Sequence, residues 1–166
     1  MRDRLTAMRC MNGDSERFSL DTNLLVYSVD SSAGCRHLTA IEIVDRATEC
    51  DCYLTVQVLS EFYVVVTRKG MVRPSDAAAQ AENWLDAFRC IAASANALRS
   101  ALSDATAGRA SYWDALLVAT AREAGCSVLL TEDMGDGQDF GGLRIHNPFS
   151  PSGGLSSLAR RLLRLD

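Results

Sequence analysis

The sequence predicts an α/β fold, with helices layered on both faces of a mostly parallel sheet of about five strands. Three observations predict it. Short β-prone apolar runs alternate with longer segments of helical period along the chain. Cap and stop residues stand at the boundaries between them. The length of 166 residues suits one domain with a substantial core.

Phe18–Thr22 (FSLDT) reads as a short strand that stops at Asp21, and TNLLVYSV continues as a helix. Arg36–Glu49 carries apolar residues at 38, 41, 44 and 47, a helical period. DCYLT (51–55) is the second strand. The next stretch, VQVLSEFYVVVTRKG (56–70), has the β-branched content of a strand, but its length and its Arg68-Lys69-Gly70 ending match a capped helix. Pro74 opens a helix that runs to Phe88, with Trp84, Leu85 and Phe88 as its apolar face. RCIAA (89–93) is a strand, Ser94–Ala107 a helix ended by Gly108, and Ser111 caps the helix YWDALLVATA (112–121). CSVLLT (126–131) and LRIH (143–146) complete the strands. Residues 1–17 form a polar, flexible N-terminal extension, 18–149 the domain, and 150–166 a C-terminal tail. In that tail SPSGG reads as a flexible linker and LSSLARRLLRLD as a short amphipathic helix.

Bulk properties exclude several classes. No apolar run approaches the ~18 residues of a membrane span, and the mixed-charge start lacks the apolar core of a secretory signal. The six cysteines (10, 35, 50, 52, 90 and 126) form neither a disulfide framework nor a metal knuckle, and most read as small buried hydrophobes of a reducing cytoplasm. A net charge of −4 argues against a broad electrostatic grip on nucleic acid, so any such role must rest on a compact site.

In sheets of this class ligands bind beyond the carboxyl ends of the strands, where the strand order reverses. Four carboxylates are candidates for that edge. Asp21 closes the first strand, although it also suits a helix cap before Thr22 and Asn23. Asp114 sits in the first turn of a helix otherwise written for a core, yet three residues after Ser111 it also fits a capping box. Asp133 follows the VLLT strand in the polar loop EDMGDGQD, where a turn role competes. Glu61 has valines at i−3, i+3 and i+4, so it must be paired, protonated or bound to a metal. Spacings of 40, 53 and 19 residues make the four a tertiary cluster if they are one. Converging acids need a cation, and no basic residue stands beside them; the chain's single lysine, Lys69, lies two helical turns beyond Glu61. A hard divalent ion such as Mg²⁺ or Mn²⁺ that accepts a phosphodiester fits this donor set.

The segments LDTNLL, VLSEFYVVVTRKG, SYWDALLVATAREAG and VLLTEDM with LRIHNPF resemble the PIN domain, and within it the VapC-like toxins, over about Phe18 to Phe149. The resemblance implies a PIN-like three-layer α/β/α sandwich and a metal-dependent endoribonuclease, the toxin of a VapBC-like toxin–antitoxin pair. It implies that Asp21, Glu61, Asp114 and Asp133 are catalytic and ligate Mg²⁺ or Mn²⁺. Asn23 and Thr131 would support the first acid or reach substrate, and Glu132 or Asp136 could share the part of Asp133. RNA hydrolysis leaving a 5′-phosphate and 3′-hydroxyl, a small cognate antitoxin, a homodimer and a cytoplasmic setting follow from the same resemblance. Asp114 is then expected within metal-bridging reach of Asp21. His37 and His146 are read as structural. A catalytically silent PIN-fold module that binds RNA or protein is the alternative. A phosphotransfer receiver is disfavoured because the last seventy residues contain no lysine, and a dehalogenase-like phosphatase because Asp21-Thr22-Asn23 is no D-x-D.

Overall fold

A computed structural model of the chain describes residues 16–165. Most of the expected N-terminal extension, with Cys10, lies outside the described residues. Its described end is anchored: Arg17 donates through Nε to Asp51 Oδ2 at 3.0 Å and through Nη1 to the Ala124 carbonyl at 2.7 Å.

Five strands, β1 (Phe18–Leu20), β2 (Cys52–Thr55), β3 (Arg89–Ile91), β4 (Val128–Leu130) and β5 (Arg144–His146), form one sheet in the order β3-β2-β1-β4-β5, with every pairing parallel. The central β1 is buried at all three residues, as expected of a strand covered on both faces. Among the described residues seven α-helices connect and flank the strands: α1 (Thr22–Val29), α2 (Cys35–Ala47), α3 (Val56–Arg68), α4 (Pro74–Ala87), α5 (Ala95–Thr106), α6 (Tyr112–Glu123) and α7 (Ser157–Leu162). The path β1 to β2 to β3 crosses the sheet one way, and the return to β4 crosses it the other. Right-handed crossovers therefore put α1–α4 on one face and α5 and α6 on the opposite one. The packing agrees, since α1 packs on α2 and α3, α3 on α4, and α5 on α6. The order reverses at β1, between β2 and β4, and that reversal creates a crevice at the carboxyl ends of β1 and β4.

Local chemistry sets the helix ends. Asp21, Thr55, Ser94, Ser111 and Ser156 each accept a backbone N–H at a helix N-terminus. Thr55 and the left-handed Gly70 (φ 66°) bracket the segment with strand-like composition, and α3 buries Val58, Leu59, Phe62 and Val66 along one stripe. On α4, Trp84 packs edge-on against Phe62 with centroids 4.7 Å apart. Leu85 departs from the expected apolar face: one residue round the helix from Trp84, it is exposed. The five described cysteines are free thiols, and only Cys52 and Cys126 are buried, so Cys35 in particular is no core hydrophobe.

The segment expected as a flexible linker is a hydrogen-bonded turn. Ser150 N–H donates to Gly154 O, Gly153 N–H to Ser150 O, and Thr39 Oγ1 to Gly153 O. Gly153 has φ 87°, and a Cβ there would fall 2.6 Å from Cys35 Sγ, so the close approach needs glycine. The turn returns the chain so that Leu162 and Leu163 join the main core. Replacing Leu163, which is 1% exposed, by Ala should lower stability in urea titrations by roughly 2–5 kcal/mol. Leu38→Ala, at a 70% exposed position, should change it by less than about 0.5 kcal/mol.

Candidate active site

Leu20 and Leu130 are register partners at the ends of β1 and β4, so the residues after them, Asp21 and Thr131, emerge side by side. The Asp21 N–H donates to Leu130 O at 3.0 Å. Thr131, fully buried, donates its hydroxyl to Asp21 Oδ2 at 2.6 Å, and the Thr22 N–H caps Asp21 Oδ1 at 2.6 Å. At the second residue of α1, Asn23 Nδ2 faces three acceptors, Asp21 Oδ2, Thr131 Oγ1 and Asp133 Oδ2, at 3.4, 3.2 and 3.1 Å. The Asp133 N–H bonds back to Thr131 Oγ1 at 3.1 Å, which turns that carboxylate toward Asn23. Thr131 thus ties the first acid to the last.

The other two acids come from the two helix layers. Glu61 on α3 accepts from Thr22 Oγ1 at 3.0 Å and from Gln57 Nε2 at 2.8 Å. Its valine neighbours do not seal it in, because Val64 faces solvent. Gln57 Nε2 also donates to the Trp113 carbonyl at 3.0 Å, joining α3 to the start of α6 beside Asp114. Ser111 caps α6 by accepting the Asp114 N–H at 3.2 Å, and its hydroxyl donates to Asp114 Oδ2 at 2.7 Å; the bond from the Ser111 N–H to the carboxylate that would complete a capping box is not made. This capping and the position of Asp114 facing the crevice are compatible.

Asp21, Asn23, Glu61, Asp114 and Asp133 line one cleft of about 330 Å³, together with Thr22, Tyr27 and Lys69. Thr131 stands beneath it through its bonds to Asp21 and Asn23. Glu132 and Asp136 do not line it. Glu132 accepts from Tyr27 Oη and pairs with Arg36 Nε at 2.9 Å. The Thr131–Asp133 turn sends adjacent side chains opposite ways, Asp133 to the cleft and Glu132 to α2. Asp136 accepts from the Asn147 N–H and lies 3.2 Å from His146 Nδ1. His37 Nδ1 meets the Tyr27 carbonyl at 2.8 Å, and neither histidine lines the cleft. Sequence reasoning missed Tyr27, Gln57 and the place of Lys69. All three are spaced on a helix face from a known acid or its partner: Tyr27 at i+4 from Asn23, Gln57 at i−4 and Lys69 at i+8 from Glu61.

Asp21 is 7% exposed, and burial, assisted by the charges of Asp133 and Asp114, pushes its carboxyl up to about 6, against the opposing pull of Thr131 and Thr22. Among the described residues, no three acidic, imidazole or thiol groups are arranged to enclose an ion as they stand. Asp114 and Asp21 share the cleft, but Asp114 is turned to Ser111 and Glu61 to Thr22 and Gln57. The donor set nonetheless fits a hard divalent cation: it is all oxygen, and Asn23 Oδ1 is a buried acceptor without a partner among the described residues. Asp21, Glu61, Asp114 and Asp133 would hold the ion.

Two expectations follow. A carboxyl raised from 3.8 to about 6 binds more protons folded than unfolded, so its contribution favours the fold in acid and is lost as pH rises from about 4 to about 6. In chelator, the stability of the wild type relative to Asp21→Asn should therefore fall across that window by up to about 3 kcal/mol, read from urea titrations at several pH values. Separately, Glu132→Gln should leave the Mn²⁺-induced rise in Tm intact while Asp133→Asn reduces it; the reverse would put Glu132 in the site.

The PIN domain profile matches residues 19–135. The sequence matches none of the curated proteins. Among solved structures, the chain is similar to VapC20 of Mycobacterium tuberculosis, described as a toxin that cleaves the sarcin–ricin loop: 20% identity, TM-score 0.58, 70% of this chain and 91% of that one. It is also similar to the DNA-bound VapBC of Salmonella typhimurium (17% identity, TM-score 0.58, 79% and 97%) and to VapBC2 of Rickettsia felis bound to promoter DNA (15% identity, TM-score 0.57, 78% and 97%). These likenesses concern the fold. The matched span runs from β1 past Asp133 and takes in all four cleft acids and the strand reversal that gathers them, and by that match the chain belongs to the PIN domain family.

Proposed function

We propose that this protein is a metal-dependent endoribonuclease that hydrolyses RNA phosphodiester bonds, the toxin of a VapBC-like toxin–antitoxin pair. The observation that carries the reading is the gathering of Asp21, Glu61, Asp114 and Asp133 into one cleft at the sheet's switch point. Family membership and structural neighbours that are VapC toxins or VapBC complexes support it. When bound, Mg²⁺ or Mn²⁺ supplies Lewis acidity and a lowered water pKa at neutral pH.

The chain's residues do the rest. Asp21, fixed by Thr131 and the Thr22 N–H, presents its carboxylate in a single orientation. Asn23 spaces Asp21 from Asp133. Asp114 lies on the rim of a helix whose next seven residues are buried, so the apolar run holds its backbone rigid. Glu61 enters the same cleft from α3, its carboxylate oriented by Thr22 and Gln57. The product carries a 5′-phosphate and leaves a 3′-hydroxyl, as the family resemblance implies.

A small cognate antitoxin and a second copy of the chain are the proposed protein partners. An apolar face with exposed Val56, Tyr63 and Val64 on α3, Leu85 on α4 and Trp113 on α6 supports a protein-binding surface. Among the described residues no helix is long and apolar enough to cross a membrane, and we place the activity in the cytoplasm. The competing reading is a silent PIN-fold binding module.

Two measurements separate them. With Mg²⁺ or Mn²⁺, the wild type should cut single-stranded RNA, and Asp21→Asn or Asp114→Asn should slow cleavage by about 100-fold or more. Mn²⁺ at 100 times its Kd should stabilise the wild type by about 2.7 kcal/mol. Equal cleavage by wild type and Asp21→Asn, or no stabilisation by the metal, would favour the silent module.

A further inference from the structure

An RNA backbone approaching this cleft meets four carboxylates. A metal answers the charge at their centre, but the flanking phosphates still face an acidic rim. Arg36 on α2 is paired with Glu132 and does not line the cleft. One cation lines the cleft itself: Lys69, the single lysine of the chain, exposed and without an ion pair among the described residues.

Its position follows from the helix that carries Glu61. Lys69 is the C-cap residue of α3, eight residues past Glu61, so the two lie roughly 12 Å apart along the axis and near one face. Val65, between them at i+4 from Glu61, also lines the cleft. Lys69 thus supplies a positive charge to the cleft lining two turns from Glu61, and that charge also reaches Asp30 at the end of α1.

We propose that Lys69 binds an RNA backbone phosphate flanking the scissile one, and so sets which way the strand lies in the cleft. The proposal rests on the ribonuclease reading. An ammonium suits this task because it is a flexible point charge that follows a phosphate without demanding the fixed geometry of a guanidinium. The plain structural alternative is that Lys69 only balances the negative end of the α3 dipole.

The test is binding of a fluorescent single-stranded RNA to the cleavage-impaired Asp21→Asn protein, by anisotropy over about 50 to 200 mM salt. Adding Lys69→Ala should weaken binding about three- to tenfold and reduce the slope of log K against log salt by about 0.7, the value for one phosphate on a single strand. Lys69→Arg should restore the slope. Arg73→Ala removes a positive charge that is paired with Asp76 away from the cleft, and should leave the slope unchanged. Melting temperatures confirm that each variant is folded. An unchanged slope in Lys69→Ala, or an equal loss in Arg73→Ala, overturns the assignment while RNA binding and wild-type cleavage stand. Absence of both RNA binding and wild-type cleavage overturns the ribonuclease reading and this one with it.

Discussion

The site depends on one buried hydrogen bond, from the Thr131 hydroxyl to Asp21 Oδ2. The parallel pairing of β1 with β4 delivers these residues side by side, and the strand reversal opens a crevice in front of them. A buried carboxylate would be costly without such partners. With the Thr22 N–H and Asn23 completing its shell, Asp21 can be kept out of water and still point into the cleft. The cost does not vanish: the raised pKa of Asp21 is the part of the desolvation that hydrogen bonds do not offset. A bound cation would offset that remainder.

Around that bond the acids divide by origin. Asp21 and Asp133 come from strand ends and are coupled through Thr131. Glu61 and Asp114 come from helices on opposite faces of the sheet, and Gln57 links their elements through the Trp113 carbonyl. The cleft is therefore closed by contributions from both layers. The loop after β4 shows how sharply position sorts neighbours: Asp133 enters the cleft, while Glu132 ties that loop to α1 through Tyr27 and to α2 through Arg36. Tyr27 also stacks edge-on with Phe149, 6.1 Å away, so the returning C-terminal segment supports the same corner.

The sequence was informative where the physics is local. Helix starts were legible because Ser, Thr and Asp caps act within three residues, and α3 was legible as a helix because Gly70 ends it despite its β-branched content. Asp21, Asp114, Asp133 and Glu61 stood out as candidates because each is a carboxylate at a strand end or in an apolar helix, whereas Asn23 stood out only through the family resemblance. The fate of SPSGG was not legible, since its order comes from Thr39, Cys35 and the burial of Leu162 and Leu163, all distant in sequence. Nor was the exposure of Leu85 or Val64, because which stripe of a helix is covered depends on what packs there.

The sequence by itself determined the alternation of strands and helices and the PIN-like fold, carried by periodicity, caps and short motifs, and it marked four acids as candidates. Only the tertiary structure decided which acids share a cleft. It kept Glu132 and Asp136 out of the cleft lining, turned the Asp114 carboxylate to Ser111 within the cleft it shares with Asp21, and brought Lys69 into the same cleft. The reason is geometric: a carboxylate's partners are set by through-space distances of about 3 Å, and residues 40 to 110 positions apart reach those distances only when the sheet's order brings their elements together.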